Sequence, residues 1–82
     1  MFTNRSRDGS NNLCGKAIVA RRKELGKSQR ELAVALQLAG LDVDKNAVQR
    51  IEAGKRFVTD IELVYLAKVL DLSIDELLSS NE

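Results

Sequence analysis

The chain has 82 residues, enough for one small domain with a single hydrophobic core. It contains no histidine and one cysteine, Cys14, which excludes an internal disulfide, a thiolate metal cluster and the usual histidine-based catalytic and zinc sites. We therefore expect no enzyme activity, no metal and no cofactor. There is neither a signal peptide nor an apolar run long enough to cross a bilayer, which predicts a cytoplasmic protein without membrane contact.

The net charge of +1 is the sum of two halves of opposite sign. Residues 1–56 hold 12 Lys and Arg against 6 Asp and Glu, whereas residues 57–82 hold 1 against 6. Because attraction to phosphate depends on the local field rather than on the total charge, the basic half could face a nucleic acid. Many proteins that bind no nucleic acid show such an asymmetry, so the charge pattern alone does not identify one.

Residues 1–12 are polar, lack periodicity and are rich in Asn, Ser and Gly, which predicts a flexible N-terminal arm. The folded domain is expected at 13–79, followed by a frayed tail at 80–82. From 13 to 25 the apolar spacing predicts a first helix, closed by Gly26. Its inward stripe consists of Cys14, Ile18 and Leu25, with Ala17 beside it.

A capping box predicts the start of the second helix. Ser28 can accept from the amide of Glu31, while the Glu31 carboxylate reaches back to Ser28. Gly40 is the expected end of this helix. The residues expected to face inward are Leu32, Ala33, Leu36 and Ala39, followed by Leu41 and Val43 in the turn.

The third predicted helix carries the chemistry that points to a function. Asp44 is its expected cap and Gly54 its expected end, with Val48 and Ile51 facing inward. The outward positions are Lys45, Asn46, Gln49 and Arg50, which share one helix face. Such side chains suit base edges, since Arg or Lys pairs with guanine and Asn or Gln with adenine. Taken alone, the same pattern also fits an ordinary solvated helix face.

Two further capping boxes predict a fourth and a fifth helix. They are Thr59 with Glu62 and Ser73 with Glu76. The inward residues expected of these helices are Leu63, Leu66, Ala67, Leu70, Ile74, Leu77 and Leu78. Five helices joined by short turns predict an all-α fold, a compact five-helix bundle.

Three segments resemble the Cro/C1-type helix-turn-helix domain (XRE family) of phage repressors and their bacterial relatives. They are I-V-A-R-R-K-E-L-G-K-S-Q-R-E-L-A at 18–33, R-I-E-A-G-K-R at 50–56 and L-A-K-V-L-D-L-S-I-D-E-L-L at 66–78. The resemblance implies a lambda-repressor-like bundle in which the helix over 45–53 enters the major groove of DNA. One departure is the connection before Asp44, which is about five residues longer than is usual in the family. We expect a second helix longer by about one turn.

The resemblance also implies roles for individual residues. The residues implied to contact bases are Lys45, Asn46 and Arg50, with Gln49 contacting base or backbone. The residues implied to contact phosphates are Ser28 and Gln29 at the start of the second helix, and Lys55 and Arg56 after the third. Arg22 and Glu52 match a structural ion pair that ties the first helix to the third.

The implied function is a sequence-specific transcriptional regulator, with repression expected. A single module makes few base contacts, each worth about 1–3 kcal/mol of discrimination, so two copies on a palindromic double-stranded DNA operator are expected. The residues expected to form a homodimer contact on helices four and five are Val64, Tyr65, Val69, Leu72 and Leu78, although an internal core could absorb them. The alternative is a protein-interaction module, such as an antitoxin, that uses the same fold to bind a protein partner.

Overall fold

Five α-helices follow one another in the computed structural model, which describes residues 11–79. Their bounds are α1 (Gly15–Glu24), α2 (Gln29–Ala39), α3 (Lys45–Glu52), α4 (Asp60–Leu70) and α5 (Ile74–Ser79). No strand occurs within residues 11–79. The predicted all-α fold is therefore confirmed. Most of the expected arm, residues 1–10, and the expected tail, residues 80–82, lie outside the described residues.

Side-chain caps set where four of the helices begin. The three predicted capping boxes all form, with Ser28, Thr59 and Ser73 each accepting from the backbone N–H three residues later at 3.0–3.2 Å. In return, the carboxylates of Glu31, Glu62 and Glu76 accept from the cap residue's own N–H at 2.8–2.9 Å. This hydrogen bond from the backbone N–H lowers the pKa of Glu31 and of Glu76. Asp44 caps α3 by accepting from the Ala47 N–H at 2.8 Å.

The connection between α2 and α3 is ordered by a glycine and a glutamine. Gly40 has a φ of +115°, and its N–H and that of Leu41 both bond to the Leu36 carbonyl oxygen, at 3.1 and 2.9 Å. The predicted end of the second helix at Gly40 is thus confirmed. Beyond it, Nε2 of Gln37 donates to the carbonyl oxygen of Val43 at 2.7 Å. The side chain of Gln37 therefore fixes the turn immediately before the cap of α3.

The core draws on every helix. Its buried residues are Cys14, Ala17, Ile18, Leu32, Ala33, Leu36, Val43, Val48, Ile51, Leu66, Ala67, Leu70 and Leu77. Burial raises the pKa of the Cys14 thiol to about 11, so Cys14 is a small hydrophobic core residue. Most of the predicted inward positions are confirmed, and Leu41 and Leu63 pack against the core while partly exposed.

Three predicted inward positions are wrong. Leu25 is 40% exposed, Ile74 is 36% exposed and Ala39 is also exposed. Each lies at a helix end: Leu25 follows α1 directly, Ala39 is the last residue of α2 and Ile74 is the first of α5. Helical spacing predicts that an apolar residue faces inward even at the end of a helix. Such a residue is buried only where a neighbouring helix covers it.

The start of α1 also differs from expectation. The backbone N–H of Asn11 donates to the Gly54 carbonyl oxygen at 2.8 Å, and the side-chain amide of Asn12 accepts from the Gly15 N–H at 2.9 Å. The sequence predicts that both residues belong to the flexible arm. The structure places them against the rest of the fold, so the ordered domain includes them.

Candidate nucleic-acid interface

The outward face of α3 is open to solvent. Val48 and Ile51 anchor the helix in the core, at 1% and 3% exposure. The four side chains expected to contact bases, Lys45, Asn46, Gln49 and Arg50, are all exposed. Within residues 11–79, none of these four makes a side-chain hydrogen bond or ion pair with another residue. The face therefore presents two cations and two amides whose donors are not used inside the described fold.

A buried carboxylate fixes α3 relative to α1 and α2. Glu52, whose side chain is 5% exposed, accepts from Nε of Arg22 at 2.7 Å and from Nη2 at 3.1 Å. The ion pair implied by the resemblance is thus present, and the hydrogen bond to Glu52 raises the pKa of Arg22. Nη1 of Arg22 also donates to the Lys27 carbonyl oxygen at 2.9 Å. The C-terminal turn of α3 is held by this pair.

Gln29 is part of the same network. Its Nε2 donates to Oε1 of Glu52 at 2.9 Å, so the amide expected to contact a phosphate is hydrogen-bonded inside the fold. Ser28 next to it is exposed, and its hydroxyl oxygen accepts from the backbone while the hydroxyl proton can still be donated. The first turn of α2 thus offers Ser28 and the positive end of the helix dipole to an anion.

The two cations after α3 have different surroundings. Arg56 donates from Nη1 and Nη2 to the two carboxylate oxygens of Glu62, at 3.2 and 2.8 Å. That bidentate hydrogen bond is the main reason why the pKa of Glu62 is lowered. Lys55 is exposed, and its side chain has no partner within residues 11–79. Lys55 is therefore available to a phosphate, whereas Arg56 would have to share its guanidinium with Glu62.

Exposed apolar side chains lie on α4 and in the segment before it. Phe57, Ile61 and Val64 are 55–65% exposed. Ile61 and Val64 lie three residues apart on one side of α4, and Phe57 lies in the non-helical segment before it. Among the residues expected to form a dimer contact, only Val64 is exposed to this degree. The others, Tyr65, Val69, Leu72 and Leu78, are partly buried. The exposed apolar row therefore begins nearer the start of α4 than expected.

The sequence reasoning missed Asn11, Asn12 and Gln37. All three position the elements of the interface through hydrogen bonds to main-chain atoms. A partial signal for Asn12 was available, because asparagine side chains often bond to nearby backbone groups, here to the Gly15 N–H three residues later. None of the helices in the described part of the chain is long and apolar enough to cross a membrane.

Comparison with known proteins agrees with this geometry. The family model described as helix-turn-helix matches residues 18–77. Among solved structures, the chain is similar to the restriction-modification controller protein C.AhdI from Aeromonas hydrophila. The sequence identity is 33%, the TM-score is 0.66, and the match covers 77% of this chain and 84% of that chain. No curated protein sequence matches the chain significantly. The chain belongs to the XRE type of the helix-turn-helix family and is a DNA-binding transcriptional regulator.

Proposed function

We propose that α3 lies in the major groove of double-stranded DNA and that Lys45, Asn46, Gln49 and Arg50 contact base edges there. The observation that supports this most is the exposed face of α3, on which these four side chains have no partner within residues 11–79. Arg and Lys donors match guanine, and the amides match adenine. The Arg22–Glu52 ion pair supports the geometry, because it fixes the end of α3 from which this face projects.

The proposed phosphate contacts lie on either side of α3. Lys55 is the proposed cation after the helix, and Ser28 with the first turn of α2 is the proposed anion site before it. Gln29 and Arg56 are also proposed to contact phosphates, with side chains that the fold already holds. Each already donates to a glutamate of the fold, so a phosphate contact would be made with a side chain held in place beforehand.

A homodimer on a palindromic operator is the proposed binding unit. A helix of eight residues contacts few bases, each worth about 1–3 kcal/mol, and two copies double that discrimination. Half-sites about 34 Å apart would place both copies on one side of the duplex. The exposed apolar side chains Ile61 and Val64 on α4, with Phe57 in the segment before it, support a contact through α4, since contiguous exposed apolar surface marks interaction sites.

Repression is the proposed outcome of binding, and the cytoplasm the proposed setting. Occupation of an operator blocks other proteins from the same DNA without requiring a further surface. The similar protein C.AhdI is a controller of a restriction-modification system, which supports a role in controlling genes without specifying which ones.

Selection from a pool of random DNA duplexes tests this function. We expect an enriched palindrome with half-sites about one helical turn apart, bound with an affinity that falls steeply with salt as counterions are released. Failure to enrich any sequence, together with no binding of any duplex at low salt, would contradict DNA binding and favour the protein-interaction module instead.

A further inference from the structure

The main chain just after α3 is held by two asparagines from the start of the domain. Nδ2 of Asn12 donates to the carbonyl oxygens of Ile51 and Arg56, at 3.1 and 2.8 Å. Nδ2 of Asn11 donates to the carbonyl oxygen of Lys55 at 3.1 Å. We call these two residues and their side-chain hydrogen bonds the asparagine clamp. It joins segments about 40 residues apart in sequence, and it bonds to the carbonyl oxygen of Lys55 and to carbonyl oxygens before and after Lys55 in sequence.

Asparagine is chemically suited to position 12. Its amide nitrogen has two donors, and both are used on carbonyl oxygens. Its amide oxygen accepts from the Gly15 N–H at 2.9 Å, which is the first N–H of α1. The last carbonyls of a helix lack partners within the helix, and the Ile51 carbonyl oxygen at the end of α3 accepts from both Asn12 and the Gly54 N–H. The side chain of Asn12 thus bridges the positive end of α1 and the negative end of α3.

The close approach of α1 to α3 makes this bridge possible. A Cβ atom added at Gly15 would lie 2.7 Å from the Ile51 carbonyl oxygen and 3.1 Å from that of Glu52. Both are backbone atoms and cannot move aside as the end of a side chain can. Because position 15 is glycine, the first turn of α1 can contact the last turn of α3. This close approach brings the Asn12 side chain within hydrogen-bonding distance of the Ile51 carbonyl oxygen.

We propose that Asn12, with Asn11, is a positioning residue for DNA binding. The two side chains hold the loop that presents Lys55 to a phosphate. The inference rests on the proposed function and adds residues that do not themselves touch DNA. Without the clamp, the loop keeps the Lys55 N–H bond to Arg50 and the Arg56–Glu62 ion pair. It therefore stays folded, while the main chain on the carbonyl side of Lys55 is no longer fixed.

The variant Asn12→Ser separates the clamp from the hydrogen bond that Asn12 accepts from the Gly15 N–H. Serine can still accept from that N–H, but it is too short and has too few donors to reach two carbonyls. We would measure Kd over a series of salt concentrations, using a duplex that carries the sequence selected by the wild-type protein. Lys55→Ala should flatten the plot of log Kd against log salt by about one unit. Asn12→Ser should also flatten this slope, by up to about one unit. The double variant should have the same slope as Lys55→Ala, because both changes remove the same phosphate contact.

Ser73→Ala is the matched control, because it removes a helix cap at the start of α5 without touching the loop. It should lower the melting temperature and leave the salt slope unchanged. Asn11→Ala, at the edge of the clamp, provides a second variant if Asn12→Ser fails to fold. A smaller flattening in that variant supports the proposal.

Three results would contradict the proposal. If Asn12→Ser behaves like Ser73→Ala, losing thermal stability with an unchanged slope, the asparagine has a structural role only. If Asn12→Ser does not fold and Asn11→Ala leaves the slope unchanged, the proposal is equally overturned. If the wild-type protein binds no duplex at low salt, the proposed function fails and the positioning role fails with it.

Discussion

Replacing Glu52 by alanine should cost this domain a large part of its stability. The carboxylate accepts three hydrogen bonds, two from Arg22 and one from Gln29, and only 5% of the side chain is exposed. Truncation leaves the Arg22 guanidinium, 13% exposed, without its counter-charge. Removing one partner of a buried pair costs about 3–5 kcal/mol, and the remaining exposure of Arg22 favours the lower end, about 3 kcal/mol.

A loss of about 3 kcal/mol is a large fraction of the domain's free energy of unfolding. A domain of 82 residues has a free energy of unfolding of roughly 4–12 kcal/mol. A change of about 3 kcal/mol should lower the melting temperature by roughly 12–24 °C. Urea denaturation followed by far-UV circular dichroism measures the free energy directly, provided that the slope with urea is unchanged.

Glu24→Ala is the control for this substitution. Glu24 is paired with Arg21 at 3.8 Å, but its side chain is 68% exposed, so the loss should stay within about 0.5 kcal/mol. Replacing Arg22 and Glu52 together by Met and Leu should recover much of the stability, because no charge is then left unpaired. If Glu52→Ala lowered the free energy of unfolding no more than Glu24→Ala does, the Arg22–Glu52 pair would not stabilise the fold as a buried ion pair.

Three further predictions concern other parts of the fold. Glu62→Gln should destabilise the domain at neutral pH. Because Arg56 lowers the folded pKa of Glu62 below the ordinary value of 4.5, the difference from wild type should vanish as pH falls through that lowered pKa; a pH-independent difference would exclude this origin. Gly15→Ala should lose about 1–2 kcal/mol in urea denaturation, since its Cβ meets backbone oxygens, and a stabilised variant would be inconsistent with that packing. Ile61→Asp should convert the proposed dimer to a monomer in light scattering, whereas Leu38→Asp on α2, 84% exposed, should not; equal effects would argue against a contact through α4.

The helix boundaries could be predicted because caps are local. Ser28, Asp44 and Thr59 each bond to a group three residues away, a distance that the sequence itself displays. The core could be predicted for the same reason, since helical spacing places Leu32 and Leu36 on one face.

Long-range partners could not be predicted in this way. Asn12 bonds to the end of α3, 39 to 44 residues away, and no local pattern distinguishes that contact from a solvated amide in a polar arm. Similarly, Arg56 could be predicted as a candidate phosphate contact, but its pairing with Glu62 depends on where α4 begins in space. The Arg22–Glu52 ion pair could be predicted only from the family resemblance, because its two residues lie in segments that match the family.

The most direct test of the account compares Arg50→Ala with Lys55→Ala on a panel of duplexes, in which each base pair of the selected sequence is changed in turn. We predict that Arg50→Ala loses about 1–3 kcal/mol on the selected duplex and no longer discriminates at one base position. Lys55→Ala should weaken binding to every duplex alike. Identical, sequence-independent losses in both variants would contradict the claim that the exposed face of α3 contacts bases.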